Sequence, residues 1–201
     1  MLGALRHHPR RRPQAGAGGV TVVELMVTMA IVAVLAAIAL PSMASFIARK
    51  RLEGLAQELM TDLRFLKSYQ THNRPNTGTG IGFSSDTNKL CYMLYVHGDN
   101  VVDCDCGQPA DTMCGSADAS GTHPKPLRQV DIPRSSGIRV TTNVPVLTVG
   151  DYNGLPLFQR TLRVSLANDV AGEIVISTNA NGVASMCSVS GAFGSISRCS
   201  P

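Results

Sequence analysis

From Val20 to Leu40 the chain runs for 21 residues with a single charge, Glu24. At ~1.5 Å rise per residue, a helix of that length spans a ~30 Å hydrocarbon layer, so the sequence predicts a transmembrane helix over 20–40. An ordinary secretory signal has a shorter apolar core followed by an Ala-x-Ala-like cleavage site, and neither is found here. The 19 residues before the run are basic and rich in Pro and Gly, ending Gly16-Ala17-Gly18-Gly19. They offer no apolar face to bury and read as a leader over 1–19.

Charge narrows the function classes. The formal excess of +4 is carried entirely by Arg6, Arg10, Arg11 and Arg12, all within the leader. Beyond it the stretch from Gly80 to His123 is acidic and the stretch from Pro124 onward is basic, so the uniformly basic face typical of nucleic-acid binding is not evident. Four arginines precede the apolar run while Arg49, Lys50 and Arg51 follow it, and charge counting barely decides its orientation. The six cysteines, Cys91, Cys104, Cys106, Cys114, Cys187 and Cys199, decide it better. An even number beside a membrane-targeting start points to disulfides in an oxidising compartment, which places the C-terminal part outside the cytoplasm. Six cysteines allow about 15 connectivities, so spacing alone does not pair them.

Beyond Pro41 the pattern becomes amphipathic, with Leu52, Leu55, Leu59, Leu63 and Leu66 recurring every three or four residues over 41–74. One helix from Val20 to Asn73 results, with Pro41 and Gly54 marking bends and Arg74-Pro75 its stop. After Asn76 the period shifts to two, in segments such as Lys89–His97, Ile138–Thr142, Thr161–Ala167, Glu173–Thr178 and Val183–Val189. Residues 98–123 read as a polar surface loop stapled by disulfides. Gly78-Thr79-Gly80-Ile81-Gly82 lacks the Lys-Ser/Thr ending of a phosphate loop and reads as a flexible helix-to-strand connection. The expected fold class is α+β: a long N-terminal helix, half transmembrane and half amphipathic, packed on an antiparallel β-rich domain over 75–201.

Around the start of the apolar run the residues are Gly18-Gly19-Val20-Thr21-Val22-Val23-Glu24-Leu25, and here the chain resembles type IV prepilins. The resemblance implies that prepilin peptidase cuts between Gly19 and Val20, and that Val20 is then N-methylated. It also places the family's conserved-type glutamate on Glu24 and its helix-bending proline on Pro41. The first mature residue in the family is usually phenylalanine, where this chain has Val20. An acidic side chain inside a bilayer is costly and needs a partner. The resemblance supplies one: the terminal amine of a neighbouring subunit's Val20. Further implied partners are other pilins or pseudopilins, an inner-membrane assembly platform and the membrane itself.

A second, pattern-level resemblance is to the GspH/FimT branch of these proteins. The Leu52–Leu66 stripe, the strand Glu173-Ile174-Val175-Ile176-Ser177, the Asn181-Gly182 turn and the pair Cys187 and Cys199 carry it. It implies a minor pilin of a type IV pilus, supporting adhesion, twitching or DNA uptake, or alternatively a type II secretion pseudopilin. Branch members linked to DNA uptake carry Gly-Arg-x-Arg before the last cysteine. This chain has Gly194-Ser195-Ile196-Ser197, which leaves only Arg198 to touch a phosphate. Arg128, Arg134, Arg139, Arg160 and Arg163 would form a patch only if their strands lay side by side.

Other chemistry is discounted. Cys104-Asp105-Cys106, Cys114, His97 and His123 lack the spacing of common zinc sites, and Asp99, Asp103, Asp105 and Asp111 lack the glycine of an EF-hand loop. No Gly-x-Ser-x-Gly elbow or flanked nucleophilic cysteine is present. The expectation is a structural subunit with no metal, no cofactor and no active site.

Overall fold

The computed structural model describes residues 19–72, 78–85, 90–98, 104–109, 112–115, 123–152, 155–158, 160–179, 181–191 and 193–200. Residues 1–18 of the leader, the Arg74-Pro75 stop and much of loop 98–123 lie outside the described residues. The chain divides into two compact units, Met1–Pro41 and Ser42–Pro201. Helix α1, Val22–His72, runs from the first into the second, and the boundary falls at the predicted proline.

In the second unit α1 supplies one wall of the core. Leu52, Ala56, Leu59, Leu63 and Leu66 alternate by four and three residues, and each is at most 1% exposed. That spacing keeps one narrow stripe on one side of the helix. Leu55, expected in the stripe, falls beside it and is only half-buried.

The stripe faces two antiparallel sheets. The first has five strands in the order β3-β2-β1-β5-β6: β1 Gly78–Ser85, β2 Leu90–His97, β3 Lys125–Ile132, β5 Val146–Tyr152 and β6 Leu155–Phe158. The second has four in the order β4-β7-β8-β9: β4 Ile138–Thr142, β7 Arg163–Asn168, β8 Gly172–Thr178 and β9 Ala184–Ser190. The 3-10 turn Arg134–Ser136 carries the chain from β3 in the first sheet to β4 in the second. Ile81, Tyr92, Leu94 and Leu147 from the first sheet and Val164, Leu166, Ile174 and Ile176 from the second join the helix in one cluster.

Strand β2 reads Leu-Cys-Tyr-Met-Leu-Tyr and is buried throughout, because both faces of its sheet are covered. Leu90, Tyr92 and Leu94 look toward the helix, while Cys91, Met93 and Tyr95 pack in a second small core with Cys104 and Cys106. The bridges Cys91–Cys106 and Cys104–Cys114 fold the cysteine-rich segment onto that face. The neighbouring cysteines Cys104 and Cys106 thus reach different partners, with a turn closed by Gln108 N–H on the Asp105 carbonyl carrying the chain round between them.

One expectation is corrected. Gly78–Gly82 is not a connection but part of β1, an inner strand paired with β2 on one side and β5 on the other. Its alternate glycines face the second core. A Cβ at Gly80 would lie 2.5 Å from the Tyr95 ring, and one at Gly82 would lie 2.6 Å from the Cys104 carbonyl oxygen. Glycine is used here for close approach, which leaves no hydrophobic alternation for a strand pattern to display.

Candidate assembly site

The first turn of α1 is built by a capping box. Thr21 N–H donates to Glu24 Oε2 at 2.9 Å, and Glu24 N–H donates to Thr21 Oγ1 at 3.2 Å. Two of the backbone donors that every helix start leaves without intrahelical partners are satisfied in this way. Sequence reasoning singled out Glu24 but passed over Thr21, although Thr-x-x-Glu before an apolar run is the signature of this device. Gly19 and Val20, flanking the predicted cleavage point, are exposed just ahead of the box.

After that turn, Val22, Val23, Leu25, Met26, Val27, Met29, Ile31, Val32, Val34, Leu35 and Ile38 are all more than half exposed. Every side of the helix from Val22 to Ile38 therefore presents apolar surface within its own unit, with Glu24 its only charge. No single helix among the described residues is long and apolar enough to cross a membrane by itself; Val22–Ile38 and Ser42–His72 meet that requirement only together.

The second half of α1 is fastened to the β-domain by its three acidic residues. Asp62, 2% exposed, accepts from Tyr92 Oη at 2.9 Å and from Arg128 Nη1 at 2.8 Å, and the second Arg128 nitrogen binds Glu58. Burial first, and then the Asp62 carboxylate, push the Tyr92 hydroxyl well above its ordinary range, so it stays protonated and donates to Asp62. Glu53 is buried, receives the Ser195 hydroxyl on one oxygen and pairs with Lys50 Nζ at 2.9 Å on the other. Further along, Lys67 Nζ donates to the Asn181 carbonyl at 2.6 Å.

Ser195 occupies one of the two positions where the DNA-linked branch pattern has arginine. Its hydroxyl is turned inward onto Glu53, and Phe193 and Ile196 on either side are buried. The bridge Cys187–Cys199 closes the same loop. Cys199 lies in a terminal segment that pairs with β9 through one parallel bridge, Ser188 to Arg198. Arg198 is exposed. Of the other arginines, Arg128 is neutralised on β3 and Arg139 on β4 is paired with Asp169 at 2.5 and 2.9 Å. Arg134 lies in the 3-10 turn after β3, and Arg160 and Arg163 stand exposed just before and at the start of β7, so the five are spread over both sheets and the turn between them.

All six cysteine sulfurs are in disulfides. Among the described residues no group of His, Cys, Asp and Glu is placed to hold a metal ion. No family model matches the chain, and neither the curated proteins nor the solved structures contain a match.

The Ser195 hydroxyl, and next the Lys50 ammonium, hold the Glu53 carboxyl below its ordinary value of 4.5. A depressed carboxylate stabilises the fold above that value, and its contribution is lost as pH falls through the lowered one. Glu53→Gln is expected to reduce stability by about 1 kcal/mol at neutral pH. The gap between variant and wild type should close below pH 4.5, read from urea midpoints across the acid range.

Proposed function

We propose that this chain is a type IV pilin-like subunit, an assembly component without an active site. In this reading it is made as a precursor, cut by prepilin peptidase between Gly19 and Val20, and held in the inner membrane by 20–40. An assembly platform then extracts it into a filament with other pilins. The role proposed within the filament is that of a minor pilin. One observation carries the reading: a single helix whose first part exposes apolar side chains all round, behind one carboxylate, and whose second part is locked into a disulfide-bridged β-domain. A soluble domain gains nothing from the first part, whereas a membrane and then a bundle of like helices would each cover it.

The test is direct determination of the N-terminus of the protein recovered from cell membranes. It is expected to begin at Val20, with a methylated amine. A protein that begins at Met1 and still carries Arg6 to Arg12 overturns the proposal. Copurification with secretion pseudopilins, in place of a major pilin, would move the same subunit chemistry to a type II secretion machine.

A further inference from the structure

We infer that residues 43–51, between the proposed membrane span and the domain core, form an interfacial collar that binds the headgroups of anionic phospholipids. The inference rests on the membrane reading of 20–40 given above. Core burial along α1 begins only at Leu52. Just before it, within the same compact unit as the β-domain, Met43, Phe46 and Ile47 are 59%, 55% and 42% exposed. Three successive cations follow, Arg49, Lys50 and Arg51. Apolar side chains followed by cations on one short helical stretch are what a bilayer surface takes up, the first at the level of the upper acyl chains and the second among phosphates.

The local charges leave this stretch cationic. Glu53 is the nearest carboxylate, and its two oxygens are taken by Lys50 and Ser195. Glu58 is engaged by Arg128. Arg51 borders an open cleft of about 440 Å³ that also contains Glu58 and Asp131, and no described carboxylate forms an ion pair with Arg51. Lys50 Nζ sits 6.0 Å from the Phe46 ring centroid, which ties one cation to one apolar residue. A layer of headgroups suits this arrangement better than a protein neighbour. Successive residues are ~100° apart around a helix, so the three charges are spread about its axis, whereas a docking protein meets one face. Each near-surface cation favours an anionic over a zwitterionic leaflet about fivefold.

The chain contains no tryptophan, so Phe46→Trp introduces a unique fluorophore at an exposed position. The full chain is reconstituted in vesicles of mixed phosphatidylcholine and phosphatidylglycerol, with one or the other lipid brominated as a quencher. Brominated phosphatidylglycerol is expected to quench the indole at least about fivefold more effectively than brominated phosphatidylcholine at equal mole fraction. The preference should vanish when Arg49→Gln, Lys50→Gln and Arg51→Gln are added, and should shrink in high salt. Equal quenching by the two lipids, in protein that resists alkaline extraction, overturns the collar and leaves the membrane reading standing. An indole shielded from both lipids would mean that a second copy covers the patch, and it also overturns the collar. Protein removed by alkaline extraction overturns the membrane reading itself.

Discussion

Glu24→Ala is expected to yield a precursor that is cut after Gly19 as in the wild type and then fails to enter the filament. A carboxylate buried among hydrocarbon costs about 2.5 to 3.5 kcal/mol at the bilayer centre and less toward its edge. In the proposed filament that cost is offset by pairing with the Val20 amine of the next subunit. Loss of a pairing worth at most about 2.5 to 3.5 kcal/mol corresponds to a shift of up to roughly a hundredfold in partition between membrane and filament. The capping box gives Glu24 a second task within its own chain, because its carboxylate also accepts the Thr21 N–H. Glu24→Gln separates the two tasks, since glutamine serves at this position of a capping box but carries no charge. Both variants should be missing from sheared filaments on immunoblots while the cut form accumulates in membranes. A glutamine variant that assembles at wild-type levels would restrict Glu24 to capping and remove the electrostatic basis of subunit register.

A large loss of fold stability is expected from Gly82→Ala. The new methyl would stand 2.6 Å from the Cys104 carbonyl oxygen, which is backbone and not a side chain that can swing away. Cys104 cannot retreat easily, because it is bridged to Cys114 and lies two residues from Cys106, which is bridged to Cys91. Overpacking of this kind costs about 1 to 3 kcal/mol, which for a domain of this size lowers Tm by roughly 3 to 10 °C. Gly54→Ala provides the contrast. Its added methyl meets nothing within 4 Å on an exposed helical face, so a gain of about 0.5 to 1 kcal/mol is expected from helix propensity. Thermal unfolding of both variants in one detergent checks the pair, and a neutral Gly82→Ala would show that the second core is loosely held.

The contrast between these glycines marks where sequence reading succeeds and where it stops. The helix was legible almost to its ends, Val22–His72 against a predicted 20–73, because its signal is its own: an apolar run, then leucines at three- and four-residue spacing. Strands β2, β4, β7, β8 and β9 were legible for the same reason, each carrying β-branched or aromatic residues between turn signals, whereas β3, β5 and β6 were not singled out. Strand β1 was not, since its three glycines make room for groups supplied by β2 and by the cysteine-rich segment, and no local pattern reports what lies opposite a missing side chain. Disulfide partners depend likewise on which strands become neighbours. At Ser195 the sequence registered only the absence of a cation; the hydroxyl's contact with Glu53 joins residues 142 apart and has no local signature. The capping box was fully encoded in Thr21 and Glu24, and there the reading stopped at the charge and missed the hydrogen bonds.

The contacts along the second half of α1 also determine how this unit responds to a pull. Glu53 to Ser195, Glu58 and Asp62 to Arg128, and Lys67 to Asn181 join the helix sideways to the sheets at intervals along its length. A force directed along the rod therefore loads these cross-ties together, in shear, while the Cys187–Cys199 link keeps the terminal loop from peeling away first. The second half of the helix and the domain it is tied to would yield together, so a pull on Ser42 reaches the β-sheets through all of these ties at once.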